Sequence, residues 1–417
     1  MTGTGSAILG EVDQAALREL AAAFSAAAPL AARCEALLGR ETLRLQDLPV
    51  TDNLMLADVN RQGLARSGGY LVSSGGTTDR PKFAYVPHHQ GARQVAAAWQ
   101  PMRPGDVMLN LFAPGRTWAA HYFYNRMAEE CGAFTVPMGP MEPAEIAEWC
   151  PTLARLGVNV LAGTPTSIAA FLAAARAGGP VIEKVVWVGE PVDKACLAAI
   201  ASQPQPVQLW GNYGSIETWV IAANTPACPA DVLHLLPGQV LELDQPRPLL
   251  TRAGQGWATR LMRYPLGDRL EAAACRCGKP CGLRVLGRAD DQMKFCGTLV
   301  SISQVHEVLG ELPEVEAVHL HLCCTADDQP LTAVEQMTAL VRIRDGHRGD
   351  GDRIRAHLLT RVYDLGFIAG DVPGSVTVSV IGALPVNART GKTQRFVLCT
   401  PARPCASRAD TAKHQFA

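Results

Sequence analysis

The 417-residue chain carries 38 basic and 39 acidic side chains, and a formal charge of -1 provides no field for attracting nucleic acid or an anionic membrane. With 48% apolar and 18% charged residues it has the composition of a packed globular protein, and its length exceeds one ordinary core, which argues for two domains. The opening Met1-Thr2-Gly3-Thr4-Gly5-Ser6 lacks the basic-then-apolar pattern of a secretory signal, and no apolar run is long enough to span a bilayer, so the expectation is a cytoplasmic protein.

In chain order, residues 12 to 39 show helical spacing of Ala and Leu and predict a helical lead-in. The apolar segment Gly69-Tyr70-Leu71-Val72 then runs into Ser73-Ser74-Gly75-Gly76-Thr77-Thr78-Asp79-Arg80-Pro81-Lys82. Glycines let backbone N–H groups turn toward an anion, the hydroxyls add neutral donors and Lys82 adds a point charge, which together make a phosphate grip. The run is not a Walker A loop, because G-x-x-x-x-G-K-[ST] is absent. Its plain alternative is a solvated Gly/Ser/Thr turn.

From about 70 to 260, strand-like runs at 107–112, 158–162 and 184–188 alternate with Ala-rich helical segments at 167–177 and 194–202. Buried strands interleaved with helices predict a mostly parallel sheet covered on both faces, with ligands at the carboxyl ends of its strands. Gly189-Glu190-Pro191 and Asn212-Tyr213-Gly214 follow apolar runs in that manner.

The thirteen cysteines are odd in number and fit a reducing compartment better than a disulfide framework, with Cys131, Cys150 and Cys196 as small core residues. One cluster differs. Cys275-Arg276-Cys277-Gly278-Lys279-Pro280-Cys281 places three thiols around a turn, and Cys228 and His234 lie upstream in another turn-like region. Tetrahedral zinc takes four soft or borderline ligands from two short loops, which Cys228, His234, Cys275 and Cys277 can supply, with Cys281 as the substitute for one thiol. Loop thiols without a metal are the alternative.

Beyond residue 288 the pattern becomes compact α/β, with strands expected over 316–324, 339–344 and 375–381 and a helix over 353–365. A large domain over 1–288 is therefore followed by a small one over 289–399. Residues 400–417, rich in Pro, Ala and Ser, are expected to form a disordered tail.

Five segments in register carry a family resemblance: Ser73 to Lys82; Trp210-Gly211-Asn212-Tyr213-Gly214-Ser215-Ile216-Glu217; Arg263-Tyr264-Pro265-Leu266-Gly267-Asp268; Gly287-Arg288-Ala289-Asp290-Asp291-Gln292-Met293-Lys294; and Leu384-Pro385-Val386-Asn387-Ala388-Arg389-Thr390-Gly391-Lys392-Thr393-Gln394-Arg395. With them the chain resembles the adenylate-forming superfamily of acyl- and aryl-CoA synthetases, most of all its phenylacetate-CoA ligase branch. The resemblance implies an α/β fold, a large N-terminal domain of mostly parallel sheets and flanking helices with a small mobile C-terminal α/β domain. It implies ATP- and Mg²⁺-dependent activation of a carboxylic acid to an acyl-adenylate, with release of pyrophosphate and transfer to CoA. A carrier-protein thiol, an amine or another nitrogen nucleophile are alternative acceptors, and a non-catalytic adenylate-binding partner is the alternative class.

Carried over residue by residue, the resemblance makes Ser74, Gly75, Gly76, Thr77, Thr78 and Lys82 the phosphate grip, with Thr77 also catalytic. It makes Glu217 the Mg²⁺ ligand, an oxygen donor suited to a hard ion. Tyr213, within Asn212 to Ser215, stacks on adenine, while Gly189, Glu190 and Pro191 face the purine edge. Asp268 accepts the ribose hydroxyls and Arg288 contacts the ribose or phosphate end. Lys392 bridges the carboxylate and the α-phosphate in the first step, Asp290 is the hinge and Lys294 a candidate for the second step. The branch includes members with a similar structural zinc site in the interval of Cys228 to Cys277. Two departures stand out. Asp79 replaces a glycine in the phosphate run, and Cys296 stands where many CoA-using relatives carry Arg, which weakens CoA as acceptor. The branch suggests an aromatic acid, with Trp118, His121 and Tyr122 as pocket candidates. A homodimer is left open.

Overall fold

The computed structural model describes residues 8–73, 82–115, 117–175, 178–190, 192, 194–245, 247–288, 292–325, 331, 334–385 and 394–401. The chain divides after Leu286 into two compact units, inside the strand Gly282–Arg288.

The first unit is built on a nine-stranded sheet in the order Asp268–Ala272, Gly282–Arg288, Leu233–Leu235, Trp219–Ala223, Gln208–Ser215, Lys184–Trp187, Val160–Gly163, Val107–Asn110, Phe134–Val136. The last five of these run parallel, joined through helices Ala120–Glu130, Pro143–Arg155, Pro165–Ala174 and Lys194–Ala201. Strands Val160–Gly163 and Lys184–Trp187 are buried throughout, as strands covered on both faces must be. The helix after Val160–Gly163 starts sharply because Pro165 occupies its first turn and the Thr164 hydroxyl accepts from the Ser167 N–H. Beyond Ser215 the sheet turns back antiparallel through Trp219–Ala223 and Leu233–Leu235. A separate four-stranded antiparallel sheet contains Ile8–Gly10, Gln239–Glu242, Leu249–Arg252 and Leu261–Pro265.

The lead-in is two helices, Gln14–Phe24 and Ala31–Leu38, interrupted where Pro29 cannot extend the first. Their apolar faces, through Leu17, Leu20, Phe24 and Leu37, pack with Leu241, Leu250 and Leu261 of the four-stranded sheet. Among the described residues no helix is long and apolar enough to cross a membrane.

The second unit holds a sheet in the order Thr298–Ser301, Gln292–Phe295, Val334–Ile343, Val315–Cys324, Phe396–Cys399, with Val376–Ile381 also pairing with Val334–Ile343. The helix expected over 353–365 is two helices, Gly351–Arg361 and Tyr363–Asp371, joined at buried, extended Val362. A Cβ at Gly366 would lie 2.4 Å from the Leu359 carbonyl oxygen, so the second helix approaches the first closely only because that residue is glycine. Cys34, Cys131 and Cys150 are buried free thiols and Cys196 is buried too, whereas Cys399 is disulfide-bonded, an exception to the reduced set expected from sequence. The expected tail falls, apart from Thr400 and Pro401, outside the described residues.

Candidate active site

The strands flanking the Ser73–Lys82 run form a hairpin. Strands Tyr70–Ser73 and Phe83–Val86 pair antiparallel with Ser73 opposite Phe83, so the ends of the intervening run are held side by side. Ser73 is anchored further, its N–H donating to the Thr117 carbonyl at 2.9 Å and its hydroxyl 2.5 Å from that of Thr117. Ser74, Gly75, Gly76, Thr77 and Thr78 lie outside the described residues, and Lys82 is the described end of the run.

Lys82 reaches Glu217, with Nζ to Oε1 at 2.7 Å. Tyr264 donates its hydroxyl to the same oxygen at 3.3 Å, and the Lys82 ammonium stands 5.9 Å from the centre of the Tyr264 ring. Glu217 is buried, which by itself would raise its pKa, but the charge and hydrogen bond of Lys82, with further donors from its own backbone and Ser215, hold it below the usual carboxylate range. The Tyr264 phenol is pushed well up by burial and by the neighbouring Glu217 charge. A charged carboxylate is thus kept in a nearly dry place, with a lysine as its counter-ion.

Local geometry puts it there. Strand Gln208–Ser215 returns as Trp219–Ala223 with Ser215 opposite Trp219, so Glu217 sits at the tip of the turn. A Cβ on Gly214 would lie 1.9 Å from the Trp219 carbonyl oxygen, and one on Gly211 would lie 2.2 Å from the Trp187 ring. The two glycines of the Trp210–Glu217 motif are therefore steric requirements. Within the turn the Ser215 and Thr218 hydroxyls are 2.8 Å apart. Asn212 donates to the buried Tyr124 hydroxyl at 2.7 Å, so its side chain supports the strand.

Tyr213 and Asp268, far apart in sequence, meet directly, the phenol donating to Asp268 Oδ2 at 2.7 Å. Gly189 has φ of +92°, a conformation suited to glycine. Glu190 accepts from the Thr166 N–H and hydroxyl at 3.2 and 2.8 Å. Pro191, Asp290 and Lys392 lie outside the described residues, as does the side chain of Arg288, whose backbone ends its strand. Lys294 is exposed on strand Gln292–Phe295 of the second unit.

Of the three aromatic-pocket candidates, Trp118 and His121 are buried. Trp118 packs edge-on against Phe112 in the main core, and His121 Nδ1 is 2.6 Å from the Phe112 carbonyl, to which it must be the donor. Tyr122 is half-buried, stacks on Tyr70 at 5.6 Å and accepts from the Gly115 N–H at 3.1 Å. Tyr264 and Thr117 received no role from the sequence. Tyr264 stood inside a quoted motif, but no spacing rule shows that its hydroxyl meets a carboxylate 47 residues earlier.

Cys228, His234, Cys275 and Cys277 present one ligand atom each, all within 4.8 Å of one another. His234 Nδ1 lies 2.8 Å from the Pro280 carbonyl, which can only accept, so Nε2 keeps its lone pair and faces Cys277 Sγ at 3.2 Å. Burial chiefly pushes the Cys275 thiol up to about 11, while the Lys279 backbone N–H chiefly draws Cys277 down. Three sulfurs and an oriented imidazole nitrogen fit the donor set of tetrahedral zinc. Cys281 is not a member of the group; its carbonyl accepts from the Leu235 N–H.

The AMP-binding enzyme family model matches residues 57–255. Indoleacetate–lysine synthetase of Pseudomonas savastanoi is 28% identical over 236 residues, 55% of this chain and 59% of that protein, so the match spans less than two thirds of the relative's length. Among solved structures, 2-hydroxyisobutyryl-CoA ligase in complex with its acyl-adenylate superposes with a TM-score of 0.68 at 15% identity, covering 96% of this chain and 90% of the other. The amide bond synthetase McbA of Marinactinospora thermotolerans gives 0.55 at 18% identity, over 78% and 67%. Such identities establish the fold alone. The family model thus matches residues 57–255, just under half of the chain, and the α/β fold is the one seen in the CoA ligase and the amide bond synthetase.

Proposed function

We propose that the protein activates a carboxylic acid with ATP, forming an acyl-adenylate and releasing pyrophosphate, and then passes the acyl group to a nucleophile. The observation that carries this reading is the buried Glu217 carboxylate, held charged by Lys82 at the tip of a strand turn. Attack of the acid on the α-phosphate brings two anions together, and the protein's task is to orient them and balance their charge. Lys82 and the preceding glycines and hydroxyls would hold the phosphates. Glu217 would hold Mg²⁺, whose chemistry is to neutralise phosphate charge. Tyr213 and Asp268 would take the base and ribose, Lys392 would bridge the reacting anions, and rotation about Asp290 would exchange Lys392 for Lys294. Cys228, His234, Cys275 and Cys277 would hold a structural zinc that ties two loops together.

For the acceptor, an amine is favoured over CoA. The relative named indoleacetate–lysine synthetase supports an amine acceptor and an arylacetic acid, in keeping with the phenylacetate-ligase-like motifs, and Cys296 in place of Arg argues against CoA. We place the reaction in the cytoplasm. Acid-dependent exchange of labelled pyrophosphate into ATP, run over arylacetates, benzoates, cinnamates and fatty acids, tests the first step. CoA, a carrier protein or lysine added to the responding acid then separates the acceptors. No exchange with any acid would leave an adenylate-binding partner in place of an enzyme.

A further inference from the structure

Arg252 ends the strand Leu249–Arg252 opposite Gln239, and no part of it reaches solvent. All five of its N–H donors are used. Nε and Nη2 donate to Gln239 Oε1 at 2.9 and 2.7 Å, Nη1 to the Thr218 carbonyl at 2.5 Å and the Thr259 hydroxyl at 3.1 Å, and Nη2 to the Val220 carbonyl at 2.5 Å. The guanidinium lies 4.6 Å from the centre of the Trp257 ring. Among the described residues it has no carboxylate partner within ion-pair distance, and although burial pulls its pKa down to about 9 it is still charged at neutral pH.

A buried cation facing only neutral acceptors is costly, and a hydrophobic residue would fill the same space without that cost. What it gains is geometric. The two carbonyls it grips belong to Thr218 and Val220, on either side of Trp219, whose φ of +58° is unfavourable for a bulky L-residue. Thr218 directly follows Glu217. The rigid fork of a guanidinium spans two carbonyls at once, which a lysine ammonium on a flexible stem cannot do in the same geometry.

We propose that Arg252 is a positioning residue for the metal-holding carboxylate: by clamping the Thr218 and Val220 carbonyls it holds the strained turn that aims Glu217. It acts through backbone, from the four-stranded sheet onto the nine-stranded one. The inference rests on the reading of Glu217 as the Mg²⁺ ligand.

The test is a Mg²⁺ titration of acid-dependent pyrophosphate–ATP exchange for the wild type, Arg252→Lys and Glu217→Gln, each checked by thermal unfolding. Arg252→Lys is expected to fold and to raise the Mg²⁺ needed for half-maximal exchange by about tenfold or more, as loss of an outer support does for a metal ligand, with the acid's KM unchanged. A general loss of packing would lower the melting temperature without moving the Mg²⁺ requirement, and that result overturns the proposal. If Glu217→Gln leaves the Mg²⁺ requirement unchanged, the metal-ligand reading itself fails and takes this inference with it. If Glu217→Gln shifts it and folded Arg252→Lys does not, only the role of Arg252 is lost. Should Arg252→Lys not fold, Trp257→Leu removes the ring beneath the guanidinium; a Mg²⁺ shift in the same direction supports the clamp, and an unshifted requirement overturns it.

Discussion

Lys82 and Glu217, separated by 135 residues, form a 2.7 Å ion pair that joins the end of the Ser73–Lys82 run to the Trp210–Glu217 motif. The glutamate is nearly sealed and the lysine is partly open to solvent. A carboxylate in this setting stays ionised only because a cation is supplied to it, and the pair ties together two motifs that have no sequence proximity.

Replacing Lys82 by Ala should therefore let burial act on Glu217 unopposed. The Glu217 carboxyl, followed by NMR in protein carrying ¹³C-labelled glutamate, is expected to titrate at higher pH than in the wild type. Because the folded-state pKa is depressed, the pair's contribution to stability is present above the unfolded carboxylate pKa and is lost as pH falls through the folded one. An unmoved titration in the variant would show that Lys82 does not set the charge of Glu217.

Lys392→Ala is expected to reduce pyrophosphate exchange by about 100-fold or more while ATP affinity changes little, since a group that bridges two anions acts mainly as their charges converge. Calorimetric ATP binding alongside the exchange assay checks both halves. Exchange at the wild-type rate would remove Lys392 from the mechanism.

Asp268→Ala should weaken ATP binding by about 1.5–3 kcal/mol, the range for hydrogen bonds to a charged group. Tyr213→Phe removes the 2.7 Å bond to Asp268 but leaves the ring, so it should retain more affinity than the Asp268 variant. Equal losses in the two would mean that the phenol matters to ATP binding as much as the carboxylate does.

The four-ligand cluster predicts one zinc per chain by metal analysis of protein purified without chelator. Cys275→Ser with Cys277→Ser should lose the metal and lower thermal stability together, with activity falling as a consequence of folding. A full equivalent of zinc in the double variant would reassign these cysteines to loop thiols.

Away from the site, Lys184 and Asp106 pair at 2.5 Å, both buried. Burial opposes ionisation of Asp106, but its bonds from Lys184, the Arg103 N–H and Asn159 overcome it and hold the carboxyl below its ordinary range. Asp106→Asn strands the lysine and should cost about 3–5 kcal/mol in chemical denaturation at neutral pH. The difference from wild type should shrink as pH falls through the folded-state pKa of Asp106, where the pair loses its negative charge.

Much of the first unit was readable because its strands are short apolar runs between Ala-rich helices, as at 158–162 and 184–188, where burial on both faces removes any alternation. The breaks were less readable. Helical spacing continues through Pro29 and through Val362, and only the packing of Gly366 against Leu359 explains why the second pair of helices folds so tightly. The antiparallel continuation beyond Ser215 was also hidden, since a turn with Trp219 at positive φ carries no local turn signature.

The order of the motifs and the ligand types gathered at Cys228, His234, Cys275 and Cys277 could be read from the chain before it folded. These follow from residue chemistry and spacing, which are local. Which distant groups meet came from the folded arrangement: Lys82 with Glu217, Tyr213 with Asp268, Arg252 with the carbonyls flanking Trp219, and Gly211 and Gly214 against the Trp187 ring and the Trp219 carbonyl. It also assigned Trp118 and His121 to buried positions, because an aromatic run reads the same whether it lines a pocket or fills a core, and the difference lies in what the sheet brings against it.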